Sequence, residues 1–110
     1  MSVTRTIHGV DFYFDFSDWG EHALDGIAAA ERAAALVAAE PPELVREAHA
    51  LLERADTDDE FNDLLYEEPD NPEFAAYWRL QRLVEQARDE KLRVDSERIE
   101  RGYHAYICLP

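Results

Sequence analysis

Nine carboxylates stand between Asp56 and Glu73 with no basic residue among them: Asp56, Asp58, Asp59, Glu60, Asp63, Glu67, Glu68, Asp70 and Glu73. Side chains of this type ligate hard cations, move protons, or bind cationic groups of a partner. Two unit charges about 7 Å apart in water repel by roughly 0.6 kcal/mol before salt screening. A fold held by ~5–15 kcal/mol feels several such pairs. The arrangement therefore asks for a use.

Calcium is the first candidate. Asp56, Asp58, Glu60 and Glu67 fall at the first, third, fifth and twelfth places of a calcium loop, but the sixth place is Phe61 where the sharp turn needs glycine. His8, His22, His49 and His104 are far apart and lack the spacing of a zinc site, so no metal and no cofactor is expected. Ser2, Ser17 and Ser96 lie in no nucleophile motif, and the glycines at 9, 20, 26 and 102 build no phosphate-cradling loop. Paired carboxylates for acid–base work stay open as an alternative, since 25 acids allow many pairs, but no motif announces an enzyme.

The remaining use is recognition. At 110 residues and a net charge of −14 the chain is expected to form one acidic domain over 1–110 that avoids nucleic acid and anionic lipid and favours a basic partner. The acidity is concentrated in the first two-thirds of the chain; beyond residue 78 acids and bases nearly balance. One lysine among 11 basic residues, with abundant alanine, also fits an acid-rich lineage composition. On that alternative the domain is structural or oligomeric and its charge serves solubility. With no apolar core in Met1–Val10, an apolar run of only seven residues (Ala33–Ala39) and a single cysteine, Cys108, read as a small buried hydrophobe, the expected compartment is the cytoplasm.

If Phe61, Leu64 and Leu65 turn inward from a helix, Asp59, Asp63, Tyr66 and Glu67 share its outer side, and Asp59, Asp63 and Glu67 form a ridge rising about 6 Å per step. A ridge of carboxylates resembles a run of phosphates in electrostatic outline. The expected function is therefore a small protein-binding protein that masks a basic, nucleic-acid-binding surface, in the manner of an anti-defence (anti-CRISPR-like) inhibitor, a nucleic-acid mimic or an immunity protein against a nuclease toxin. Its partner-binding residues would be Asp56, Asp58, Asp59, Glu60, Asp63, Tyr66, Glu67, Glu68 and Asp70, with Asp11, Asp15 and Asp18 as an extension. Tyr13, Tyr66 and Trp78 are placed as surface anchors, with completion of the core the competing use of Trp78 and Trp19.

The elements that must carry these residues follow from periodicity. Val10, Phe12, Phe14 and Phe16 alternate with Asp11, Tyr13, Asp15 and Ser17, and His8-Gly9 supplies a two-residue turn pairing Ile7 with Val10, Arg5 with Phe12 and Val3 with Phe14. Arg5 on the core side is read as a cation spread over Phe12. Four helices follow: from Trp19 or Glu21 to Ala39, with Ile27 on its apolar stripe; after Pro41-Pro42, presenting Leu44, Ala48, Leu51 and Ala55; from a Thr57/Glu60 capping box; and from Asn71-Pro72 to between Lys91 and Asp95. A turn over Ser96–Arg101 leads to a last strand whose Ala105, Ile107 and Leu109 face the core. The fold class is α+β: a small antiparallel sheet of N-terminal hairpin plus C-terminal strand, packed against about four helices.

Overall fold

Two residues turn the chain at its start. His8 and Gly9 both adopt positive φ (52° and 84°), the backbone of a tight turn whose twist matches the strands it joins. It links β1 (Ser2–Ile7) to β2 (Val10–Asp18) with Ile7 opposite Val10, Arg5 opposite Phe12 and Val3 opposite Phe14, the register the alternation predicts. Positive φ is costly for histidine. His8 is pinned from outside: its Nε2 lies 3.0 Å from the Ala38 carbonyl and 3.2 Å from that of Glu40, where it donates to the end of the first helix, and Arg46 Nε donates to the His8 carbonyl at 3.3 Å.

The structure is a computed structural model that describes residues 2–18, 26–91 and 103–110. The third strand, β3 (Tyr103–Cys108), pairs antiparallel with β2, so the order is β1-β2-β3 with β2 central. Phe12, Phe14 and Phe16 are fully buried, joined on the same face by Ile7, Ala105 and Ile107. The other face carries Thr4, Thr6 and Asp11, where the Thr6 hydroxyl donates to the Asp11 carboxylate, and no helix among the described residues covers it, so it is the open face of the described structure.

Four helices among the described residues stack over the phenylalanine face, all but the third by direct packing on the sheet; the third packs on the second. They are α1 (Gly26–Ala38), α2 (Pro42–Thr57), α3 (Asp59–Glu67) and α4 (Ala75–Lys91). Buried Ala29, Ala30 and Ala33 let α1 approach both the sheet and α4 closely, and Val37 completes its inner stripe. The stripe is rotated from the predicted one: Ile27 is 51% exposed, because burial follows 29, 30, 33 and 37. On α2 the buried line is Val45, Ala48, Leu52 and Ala55, with Leu44 and Leu51 on its flanks. A 3-10 turn, Pro72–Phe74, opens α4, and Asn71 caps it by accepting from the Glu73 amide at 2.9 Å.

The wide inner face of α4 touches α1, α2 and β3 at once. It buries Ala76, Tyr77, Leu80, Leu83, Val84 and Ala87, and also Gln81, 3% exposed. Peptide groups of an edge strand point alternately to the neighbouring strand and outward. The Gln81 amide takes the outward groups of β3, donating from Nε2 to the Ala105 carbonyl at 2.7 Å and accepting from the Ile107 amide at 3.2 Å. One side chain thus stands in for a fourth strand and covers the edge.

Several expectations are corrected. Leu64 is 43% exposed, since α3 inserts only Phe61 and Leu65. Arg5 donates to the Thr4 carbonyl at 2.9 Å, whereas Arg54 lies over a ring, 4.1 Å from the Phe61 centroid. Cys108 is only half-buried, because its register partner is Tyr13 on the open face. The predicted start of the first helix (19–25), the turn at 96–101, Trp19 and His22, and the side chains of Asp18 and His104, lie outside the described residues.

Candidate functional site

The acidic block is built around a break between two helices. Thr57 is the last residue of α2, where its hydroxyl donates back to the carbonyls of Glu53 (3.4 Å) and Arg54 (3.3 Å). Asp58 is extended (φ −140°, ψ 101°), and its carboxylate accepts from the Phe61 amide at 3.1 Å. The cap of α3 is therefore Asp58, one residue after the predicted Thr57: a threonine hydroxyl already bonded within its own helix cannot cap the next. From Asp59 the chain is helical and Phe61 is core, so the segment cannot wrap a calcium ion. Among the described residues no group of three His, Cys, Asp or Glu side chains is placed to hold a metal.

All nine carboxylates are exposed. The ion pairs among the described residues are Arg32–Glu90, Arg79–Glu40, Arg88–Asp89 and His49–Glu53, and none includes a member of the block. Arg54, the nearest base in sequence, is committed to the Phe61 ring. Helix dipoles divide the block. Asp59 and Glu60 sit in the first turn of α3, where negative charge is favoured by a few tenths of a kcal/mol; Asp56 at the end of α2, and Glu67 and Glu68 at the end of α3, sit where it is disfavoured. Asp59, Asp63 and Glu67 keep the predicted ridge along α3.

Tyr66 leaves that ridge. Its ring meets Tyr77 edge-on at 5.9 Å and Trp78 at 6.0 Å, and the Tyr77 hydroxyl donates to its oxygen at 3.2 Å. Burial, then this hydrogen bond, pushes the Tyr77 phenol far above its ordinary range. Trp78 is half-buried, and its indole N–H donates at 3.0 Å to the Leu65 carbonyl, one of the α3 carbonyls left without a helical partner. It clamps α3 to α4 and does not project as a surface anchor.

Beside Tyr66 an open groove of about 360 Å³ runs between α2, α3 and the end of β3. Leu52 and Ala55 form one wall, Ile107 and Leu109 the other, and Asp56, Asp59 and Asn62 stand at the rim with Tyr66. Cys108 also borders it; burial and then the negative charge of Asp15 push its thiol up. Three of the predicted residues, Asp56, Asp59 and Tyr66, thus meet at the groove. Asp58 caps α3, Glu60, Asp63, Glu67 and Glu68 stay on the helix surface, and Asp70 lies in the following turn, where Glu68 accepts from Asn71 Nδ2 at 3.2 Å. Asp11 and Asp15 lie on the open sheet face, across the sheet from the helices. Sequence reasoning missed Leu52, Ala55, Asn62 and Leu109 as groove residues. Leu52 and Ala55 share a helical face with Asp56, and Asn62 shares one with Asp59 and Tyr66, but no local signal brings these two faces together with the end of β3.

Among the described residues no helix is long and apolar enough to cross a membrane. Comparison with family models, with curated proteins and with solved structures finds no match for this chain.

Proposed function

We propose that the protein binds and masks a basic, nucleic-acid-binding surface of a partner protein, as an inhibitor of the anti-defence or nucleic-acid-mimic kind or as an immunity protein against a nuclease toxin. One observation carries the reading: exposed carboxylates at Asp56, Glu67 and Glu68 occupy helix ends that disfavour them and are relieved by no ion pair among the described residues. The helix dipoles oppose that placement, whereas a cationic partner would gain from it. Docking would release the partner from competing phosphates, and the long-range field of the block would speed encounter at low salt.

The test joins capture to mutation. Protein immobilised in host lysate at low ionic strength is expected to retain a basic, nucleic-acid-handling protein that high salt releases. Replacing Asp59, Asp63 and Glu67 by Asn, Asn and Gln should abolish retention and leave the urea midpoint equal or higher. Retention unchanged, with the midpoint raised, would assign the charge to solubility and end the masking reading.

A further inference from the structure

The groove specifies more than a charge. Its lining mixes apolar Leu52, Ala55, Ile107 and Leu109 with Asn62, Cys108 and Tyr66 and with the acidic residues Asp56 and Asp59. At about 360 Å³ it stands at the low end of ligand pockets, which run ~300–1,000 Å³, and suits a side chain better than a cofactor. Asp56 lies in the last turn of α2 and Asp59 begins α3, and the break at the extended Asp58 between them leaves both lining one groove. The matching ligand has an apolar stem and a flat cationic head. Arginine has both: its methylenes can lie along the walls, and its guanidinium offers several N–H donors to carboxylates and a face to an aromatic ring. Lysine offers a compact, strongly hydrated charge that gains less from such a rim.

We infer that this groove is a socket for an arginine side chain of the basic partner, with Asp56 and Asp59 taking the guanidinium and Leu52 and Leu109 the stem. The inference rests on the masking function and names its recognition element. A short peptide with arginine flanked by leucine is the probe, with lysine and citrulline versions beside it, titrated into isotope-labelled protein. The arginine peptide should shift the amides of Asp56, Asp59, Asn62 and Tyr66, bind about tenfold tighter than the lysine peptide, and lose its effect as citrulline. Asp56→Asn with Asp59→Asn should weaken it about tenfold or more, and Asn62→Phe, which fills the trough and keeps both charges, should do the same; urea unfolding checks that each variant folds. Equal binding of the arginine and lysine peptides, or no effect of Asn62→Phe, overturns the socket. The combination Asp63→Asn, Glu67→Gln, Glu68→Gln separates the two ideas. If it alone weakens peptide binding, the acidic surface stands without the socket; if the groove variants alone do, the socket stands and the wider surface falls.

Discussion

Replacing Gln81 by leucine tests how the sheet edge is held. The amide makes two hydrogen bonds to β3, and their partners sit on residues only 3% (Ala105) and 1% (Ile107) exposed. Leucine of similar size leaves a carbonyl and an N–H buried without partners, at ~1–3 kcal/mol each. The added apolar contact returns about 1 kcal/mol, for a net loss of about 1–5 kcal/mol, centred on about 3 kcal/mol. With a urea dependence of ~1–3 kcal/mol per molar for a small domain, the midpoint should fall by roughly 1.5 M at the middle of both ranges, with an unchanged slope. Gln81→Glu supplies a second reading. Protonated, the introduced acid can donate to the Ala105 carbonyl and accept from Ile107; ionised, it faces that carbonyl as a buried charge. Its folded-state pKa is then raised, so its stability should be near wild type at low pH and drop as pH rises through that value. A Gln81→Leu midpoint within about 0.2 M of wild type, measured with the typical slope, would refute the account.

Other outcomes follow from the same geometry. Asp58→Ala should cost about 1 kcal/mol by loss of the α3 cap, and Thr57→Ala much less; the reverse order in urea unfolding would restore the cap to Thr57. Neutralising Asp63 and Glu67 should raise the stability by a few tenths of a kcal/mol, read as a higher urea midpoint, and added salt should raise the midpoint of the wild type more than that of the variant. The Arg32 hydrogen bond, then that of Gln86, holds the Glu90 carboxyl below its ordinary range. That contribution is present above the unfolded carboxyl's pKa and lost as pH falls through the folded value, so the stability gap between wild type and Arg32→Ala should close in acid. With its thiol pushed up by burial and Asp15, Cys108 should alkylate more slowly than free cysteine at mildly alkaline pH and catch up on unfolding in urea.

The strands were legible because their information is local. Two-residue alternation in Phe12–Phe16 and a His-Gly turn leave one register that buries the aromatic side, and Ile7 pairs with Val10 accordingly. Helix ends marked by Pro41-Pro42 and Asn71-Pro72 were equally legible, since proline and asparagine act on the backbone beside them. Faces were less so. Ile27 and Leu64 fit an apolar stripe by spacing yet stand exposed, because which 100° of a helix is covered depends on the neighbour that covers it.

By itself the chain of residues determined an α+β fold, the pairing of its hairpin and an acid block without bases of its own, because propensity, turn chemistry and charge are properties of neighbours in sequence. Tertiary structure alone decided that Gln81 closes the β3 edge, that Tyr66 turns from the acidic ridge toward Tyr77 and Trp78, and that Asp56 and Asp59 share a rim with Leu52 and Leu109. Those meetings join different elements, from 11 residues apart for Tyr66 and Tyr77 to 24 and 26 for Gln81 and its two partners in β3. They arise when burying the phenylalanine face fixes where each helix lies, and no periodicity along the chain encodes that placement.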